Sequence, residues 1–182
     1  MGVRDAVDYW GSTPVERRRR YPCDDVLPHR DQELFRAVTI DAPPAVVFRW
    51  LCQLKVAPYS YDWVDNGGRR SPQHLVPGVD RLEVGEQVLI FTLASFVVDE
   101  HLTLRLVGHR LFGDVAISYV ILPDGPRRSR LVVKLVTLPA RGVVGVVLRR
   151  LLPVGDLVMM RRQLLNLKAL AEADASKPTA AR

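Results

Sequence analysis

The stretch DVAISYVILPDGPRRSRLVVKLVTLP, residues 114–139, decides the fold class. Both halves are dominated by apolar and β-branched residues, which favour strands. Asp124-Gly125-Pro126 stands between them as a turn signal, so the halves read as one long antiparallel hairpin. Side chains two apart share a strand face. Val115, Ile117, Tyr119 and Ile121 therefore form one set. Lys134 marks its own face as the solvent side, which turns Leu131, Val133, Leu135 and Thr137 inward. Tyr119 is then a lone hydroxyl on an apolar inward surface.

Upstream of the hairpin, EQVLIFTL (86–93), SFVVDE (95–100) and HLTLRLVG (101–108) read as further strands. Arg105 turns Leu102, Leu104 and Leu106 inward. ELFRAVTI (33–40) reads as the first strand. Proline is well tolerated in a first helical turn, so Asp41-Ala-Pro-Pro44 opens a helix. Val47, Trp50, Leu51 and Leu54 line its apolar face, and it ends near Pro58. Tyr59–Asn66 is a short helix or turn stopped by Gly67-Gly68. Downstream of the hairpin, Val143–Leu152 is helical, and Pro153-Val-Gly155 breaks or kinks the helix. Asp156 caps a second helix to about Ala173, with Leu157, Met160, Leu164, Leu167 and Ala171 on one face.

This order is α+β. A single antiparallel sheet must cover an apolar face, and the last helix is the long element available. The expected architecture is a curved antiparallel β-sheet of about six or seven strands gripping a long C-terminal α-helix. Two short helices follow the first strand. Residues 1–32 read as an irregular polar arm, 33–173 as the domain and 174–182 as a frayed tail. The arm has little apolar periodicity and is expected to be dispensable to the fold.

Composition narrows the function. The 182 residues are 48% hydrophobic and 25% charged, an ordinary globular balance. The net charge is +6, and residues 141–182 hold eight basic and three acidic groups. That segment has no aromatic residue, which argues against nucleic acid as a partner. The basic run Arg17–Arg20 is flanked by Glu16, Asp24 and Asp25 and reads as a solvated face. Two cysteines, Cys23 and Cys52, do not make a disulfide framework. The N-terminus lacks a signal-peptide core, and Arg149, Arg150, Pro153 and Asp156 interrupt the longest apolar stretch. A cytoplasmic protein is the expectation.

Catalytic motifs are absent. There is no phosphate-binding glycine loop, dinucleotide fingerprint or HExxH, so no cofactor is implied. His29, His74, His101 and His109 are too scattered to propose a metal site. Asp99-Glu100-His101 is the densest ionisable group and reads as a turn between strands. Tyr61, Asp62, Trp63 and Asp65 put aromatic bodies with polar handles between the first helix and the sheet, where a cavity mouth should lie.

On AVTIDAPPAVVFRWLCQL (37–54), YDWVDN (61–66), VGEQVLIF (84–91) and DLVMMRRQLLNLKALAE (156–172), the chain resembles the START-like superfamily, also called SRPBCC or helix-grip proteins. The resemblance covers about 33–173. It is similar to bacterial polyketide cyclase/dehydratase or lipid-transport-like members. It implies a cavity for an apolar ligand between the sheet and the last helix. The expected ligand-binding set is Tyr61, Trp63, Leu104, Ile117, Tyr119, Val133, Leu135, Met160 and Leu164. Binding of a small hydrophobic molecule is the first functional expectation, because apolar walls disfavour buried charge. A cyclase/dehydratase using Tyr119, Asp62 or His101 is the second. The third is a peripheral membrane or protein-partner adaptor using the basic C-terminal helix, with weak membrane contact through Arg149, Arg150, Arg161 and Arg162.

Overall fold

The hairpin at 114–139 is the centre of the molecule. The computed structural model describes residues 3–61, 67–68, 70–110, 112–138 and 143–177, with side chains other than those of 3–4 and 143–149. Its strands are β1 (Gln32–Ile40), β2 (Gln87–Val88), β3 (Phe91–Val97), β4 (His101–His109), β5 (Gly113–Pro123) and β6 (Ser129–Leu138). They form one antiparallel, curved sheet in the order β1-β6-β5-β4-β3-β2. β5 and β6 pair from Asp114↔Leu138 to Pro123↔Ser129. Register shifts fall between Leu93 and Ser95 and between Leu106 and His109. Such irregularities bend strands, which helps this sheet to curl.

Two strand boundaries differ from expectation. EQVLIFTL is interrupted at Leu89-Ile90, where Leu89 takes φ 57°. SFVVDE leaves the sheet after Val97, and Asp99 takes φ 64° in the turn to β4. A chain reversal needs such left-handed positions, and the apolar run hid both turns.

The helices are α1 (Val3–Asp8), α2 (Pro14–Arg17), α3 (Pro22–Val26), α4 (Pro44–Cys52) and α5 (Val143–Ala175), with a 3-10 turn at Gln53–Lys55. α4 starts at the paired prolines and buries Val47, Phe48, Trp50 and Leu51 against the inner sheet face. α5 buries Met160, Leu164, Leu167 and Ala171 in the same core. It runs through Pro153 as one helix, so the expected break is corrected and Asp156 lies inside the helix instead of capping it. A proline removes one internal hydrogen bond, and the other turns and the packing of this 33-residue helix outweigh that loss.

The segment read as an irregular arm instead forms three short helices, of which α3 packs on the outer face of the sheet and α1 lies against β1 and α5. Tyr21 and Cys23 are buried with Phe35, Ala37, Ala116, Val132 and Val136. Lys134, read as solvent-facing, is 3% exposed because α3 covers it. Its ammonium lies 2.7 Å from an Asp24 carboxylate oxygen and over the rings of Tyr21 and Phe35. Arg130 makes a similar 2.7 Å contact with Glu16. At the open edge of β1, the Ala37 N–H donates to the Trp10 carbonyl at 3.0 Å. An unpaired strand edge is a liability, and the arm covers this one locally. Gly11 is required there, since its φ is +74° and a Cβ would stand 2.1 Å from the Ala37 oxygen. Cys23 and Cys52 are free thiols in cores on opposite faces of the sheet. Burial pushes them up to about 11 and about 12 respectively.

Candidate functional site

A cavity of about 430 Å³ lies between the inner sheet face and the N-terminal half of α5. Strand alternation aims Leu104 and Leu106 of β4, Val115, Ile117 and Tyr119 of β5, and Leu135 of β6 into it. Leu54, Pro58 and Ser60 close one side. Leu152, Met159 and Met160 of α5 close another. Leu89, Ile90 and Leu151 line the cavity and are also exposed, so its mouth is apolar.

The expected site residues divide accordingly. Leu104, Ile117, Tyr119, Leu135 and Met160 stand on the wall. Val133 and Leu164 are buried in the core but off the wall. Tyr61 lines a second, half-open groove of about 700 Å³ with Arg70, Arg162 and Asn166, which meets the cavity at Ser60. Trp63, Asp62 and Asp65 lie outside the described residues. His101 is on the outer strand face, since Leu102 and Leu104 face inward, so it cannot act in the cavity. Partial burial lowers its pKa from the ordinary value, and its ring lies 3.5 Å from the Ser95 hydroxyl. Asp99 and Glu100 sit in the turn before β4. Among the described residues, no group of three His, Cys, Asp or Glu side chains is placed to hold a metal. No helix among them is long and apolar enough to cross a membrane.

The polar end of the cavity was not foreseen. Among the described residues, its polar wall groups are Ser60, Tyr119, Asp156 and Gln163. Asp156, Met160 and Gln163 recur at spacings of four and three, which places them on one helix face. The Tyr119 hydroxyl donates to Gln163 Oε1 at 2.9 Å, and Gln163 Nε2 donates to the Pro58 carbonyl at 2.6 Å. Asn166 Nδ2 donates to the Tyr59 carbonyl at 2.8 Å. Two amides of α5 therefore hold the 58–60 segment, where Tyr59 has φ 55°. Such a conformation costs a bulky residue energy and persists where its surroundings over-determine it.

Behind Asp156 lies Arg36. Its side chain is 1% exposed, and that of Asp156 is 7% exposed. Arg36 Nη2 approaches Asp156 Oδ2 at 2.7 Å. The guanidinium also donates to the Asp8, Phe35 and Pro153 carbonyls. Burial pushes Asp156 up to about 6 against the opposing pull of Arg36. Burial likewise holds the Arg36 guanidinium below its ordinary value. Both residues had a readable signal. Arg36 shares alternation with inward Leu34 and Val38 on β1. Asp156 lies one turn before inward Met160, once the helix is taken as unbroken.

No protein-family model matches the chain, and no curated protein matches it. Solved structures do. A protein of Mesorhizobium loti is 16% identical with a TM-score of 0.51, over 81% of this chain and 100% of its own. A protein of Chromobacterium violaceum is 15% identical with a TM-score of 0.51, over 78% and 99%. The Zhui aromatase/cyclase of Streptomyces sp. R1128 is more distant, at 14% identity and a TM-score of 0.47 over 79% and 93%. At such identities the likeness is one of fold. The chain has the helix-grip fold, a curved antiparallel sheet around a long C-terminal helix.

Proposed function

We propose that the protein binds a small hydrophobic molecule, lipid- or polyketide-like, between its sheet and α5. The observation that carries this reading is the 430 Å³ cavity walled by Leu, Ile, Val, Phe and Met side chains. Ligand sites are typically concave and mostly apolar, about 300–1,000 Å³ in volume, with a few convergent polar groups. The exposed Leu89, Ile90 and Leu151 give an apolar ligand an entry path.

The test is uptake of Nile red, a neutral dye that brightens in apolar surroundings. The wild type should take it up saturably. Ile117→Trp places an indole ring inside the cavity and should abolish uptake while the protein still unfolds cooperatively. Wild-type uptake by that folded variant would sink the proposal. A second reading, acid–base chemistry on a bound polyketide-like molecule, is favoured by one observation. Asp156 lines the cavity and is pushed up to about 6, near the range where a carboxyl exchanges protons at neutrality. Under that reading Asp156→Asn would stop turnover without stopping uptake.

A further inference from the structure

We infer that the cavity selects an apolar ligand carrying a neutral hydroxyl and rejects a carboxylate of the same length, because its polar end holds a carboxylate and more hydrogen-bond acceptors than donors. This rests on the reading of the cavity as a ligand site.

The argument begins at Pro58. Its carbonyl can only accept, so the group facing it at 2.6 Å must be the Gln163 NH₂. That orientation aims Gln163 Oε1 at Tyr119. An amide oxygen can only accept, so the Tyr119 hydroxyl must donate its single proton there. Burial raises the Tyr119 pKa, which keeps that proton in place. The unused valences of the Tyr119 oxygen and of Gln163 Oε1 are therefore lone pairs, and the second Gln163 N–H is the pair's one remaining donor. Asp156, one turn before Met160 on the same helix face, adds a carboxylate to the wall, its Oδ2 turned to Arg36. Ser60 adds a single uncharged hydroxyl.

Charge narrows the ligand further. Arg36 sits beside Asp156 and balances it, so a cationic amine would meet a guanidinium across the carboxylate. Four of the Arg36 approaches are already to protein oxygens, and Arg36 is not on the cavity wall. A carboxylate ligand would find a like charge and at most two uncharged donors, the Gln163 N–H and the Ser60 hydroxyl, with no guanidinium within the wall. A neutral hydroxyl can donate into this cluster without adding charge. Buried polar groups lacking partners are costly, so the mismatch discriminates strongly.

The experiment is displacement of Nile red from the full chain at pH 8 by three probes of ten carbons each: 1-decanol, its isomer methyl nonyl ether, and sodium decanoate. Decanol should bind about ten-fold tighter than the ether, the scale of a hydrogen bond to a charged acceptor, and tighter still than decanoate. Asp156→Asn supplies amide donors and should narrow the gap between decanol and decanoate. Tyr119→Phe should weaken decanol several-fold. Equal affinity for alcohol and ether, or decanoate binding as tightly as decanol, would overturn the inference while leaving hydrophobic binding intact. Failure of Nile red and of n-decane to bind at all would overturn the underlying reading as well. Should Asp156→Asn not fold, the ranking of the three probes on the wild type decides the matter alone.

Discussion

Replacing Tyr21 by alanine tests whether the N-terminal segment belongs to the fold. Tyr21 is 2% exposed beneath the convex sheet face. Its ring meets Phe35 edge-on, with centroids 5.8 Å apart at 72°, and its hydroxyl donates to the Glu16 carbonyl at 2.9 Å. A tyrosine buries roughly 150–250 Å², which at about 25 cal/mol per Å² is about 4–6 kcal/mol as an upper bound. Aromatic-to-alanine changes in cores cost about 3–5 kcal/mol. Tyr21→Ala should therefore lose about 3–5 kcal/mol. Tyr21→Phe removes only the hydroxyl contact and should lose about 0.5–1.5 kcal/mol. With a urea slope of about 2 kcal/mol/M, the alanine variant's midpoint should fall by about 2 M in circular-dichroism titrations. A shift within about ±0.5 kcal/mol, the range of surface sites, would refute the packing argument. Lys134 sharpens the point, because loss of α3 would uncover its aliphatic stem and take away its partner Asp24.

Two further predictions follow from the same geometry. Gly11→Ala forces a side chain into a left-handed position against the Ala37 oxygen and should destabilise by more than about 1 kcal/mol; unchanged thermal stability would detach residues 10–11 from the β1 edge. For Asp156, the folded carboxyl sits at about 6 against an ordinary 3.8, so the folded state holds the proton more tightly. The resulting stability is fully present below about pH 4 and is lost as pH rises through about 6, a span worth about 3 kcal/mol. Glu16 and Glu172 are shifted the other way and act below 4.5, so urea titrations of wild type and Asp156→Asn should diverge chiefly between those limits. Parallel pH profiles for the two proteins would show that Asp156 is not buried as described.

Much of the fold is a local matter and was legible in the residues. Strand alternation alone placed Leu104, Ile117, Tyr119 and Leu135 on one inward surface, because a pleated strand leaves a side chain two choices of face. Helical spacing likewise placed Met160, Leu164, Leu167 and Ala171 toward the sheet. Non-local pairing decided the rest. The segment 3–30 is too short and too polar to show a periodicity, and its few apolar groups gain meaning only when Tyr21 and Cys23 meet Phe35 and Val136 across the sheet. Lys134 reads as a solvent marker until that cover exists. Arg36 and Asp156 each look like surface charges in isolation. Their burial depends on β1 and α5 being brought together, and on α5 continuing through Pro153. Alternation determined which faces line a cavity, and only the tertiary structure decided its polar end, because hydrogen-bond direction there is set by partners more than forty residues apart in the chain.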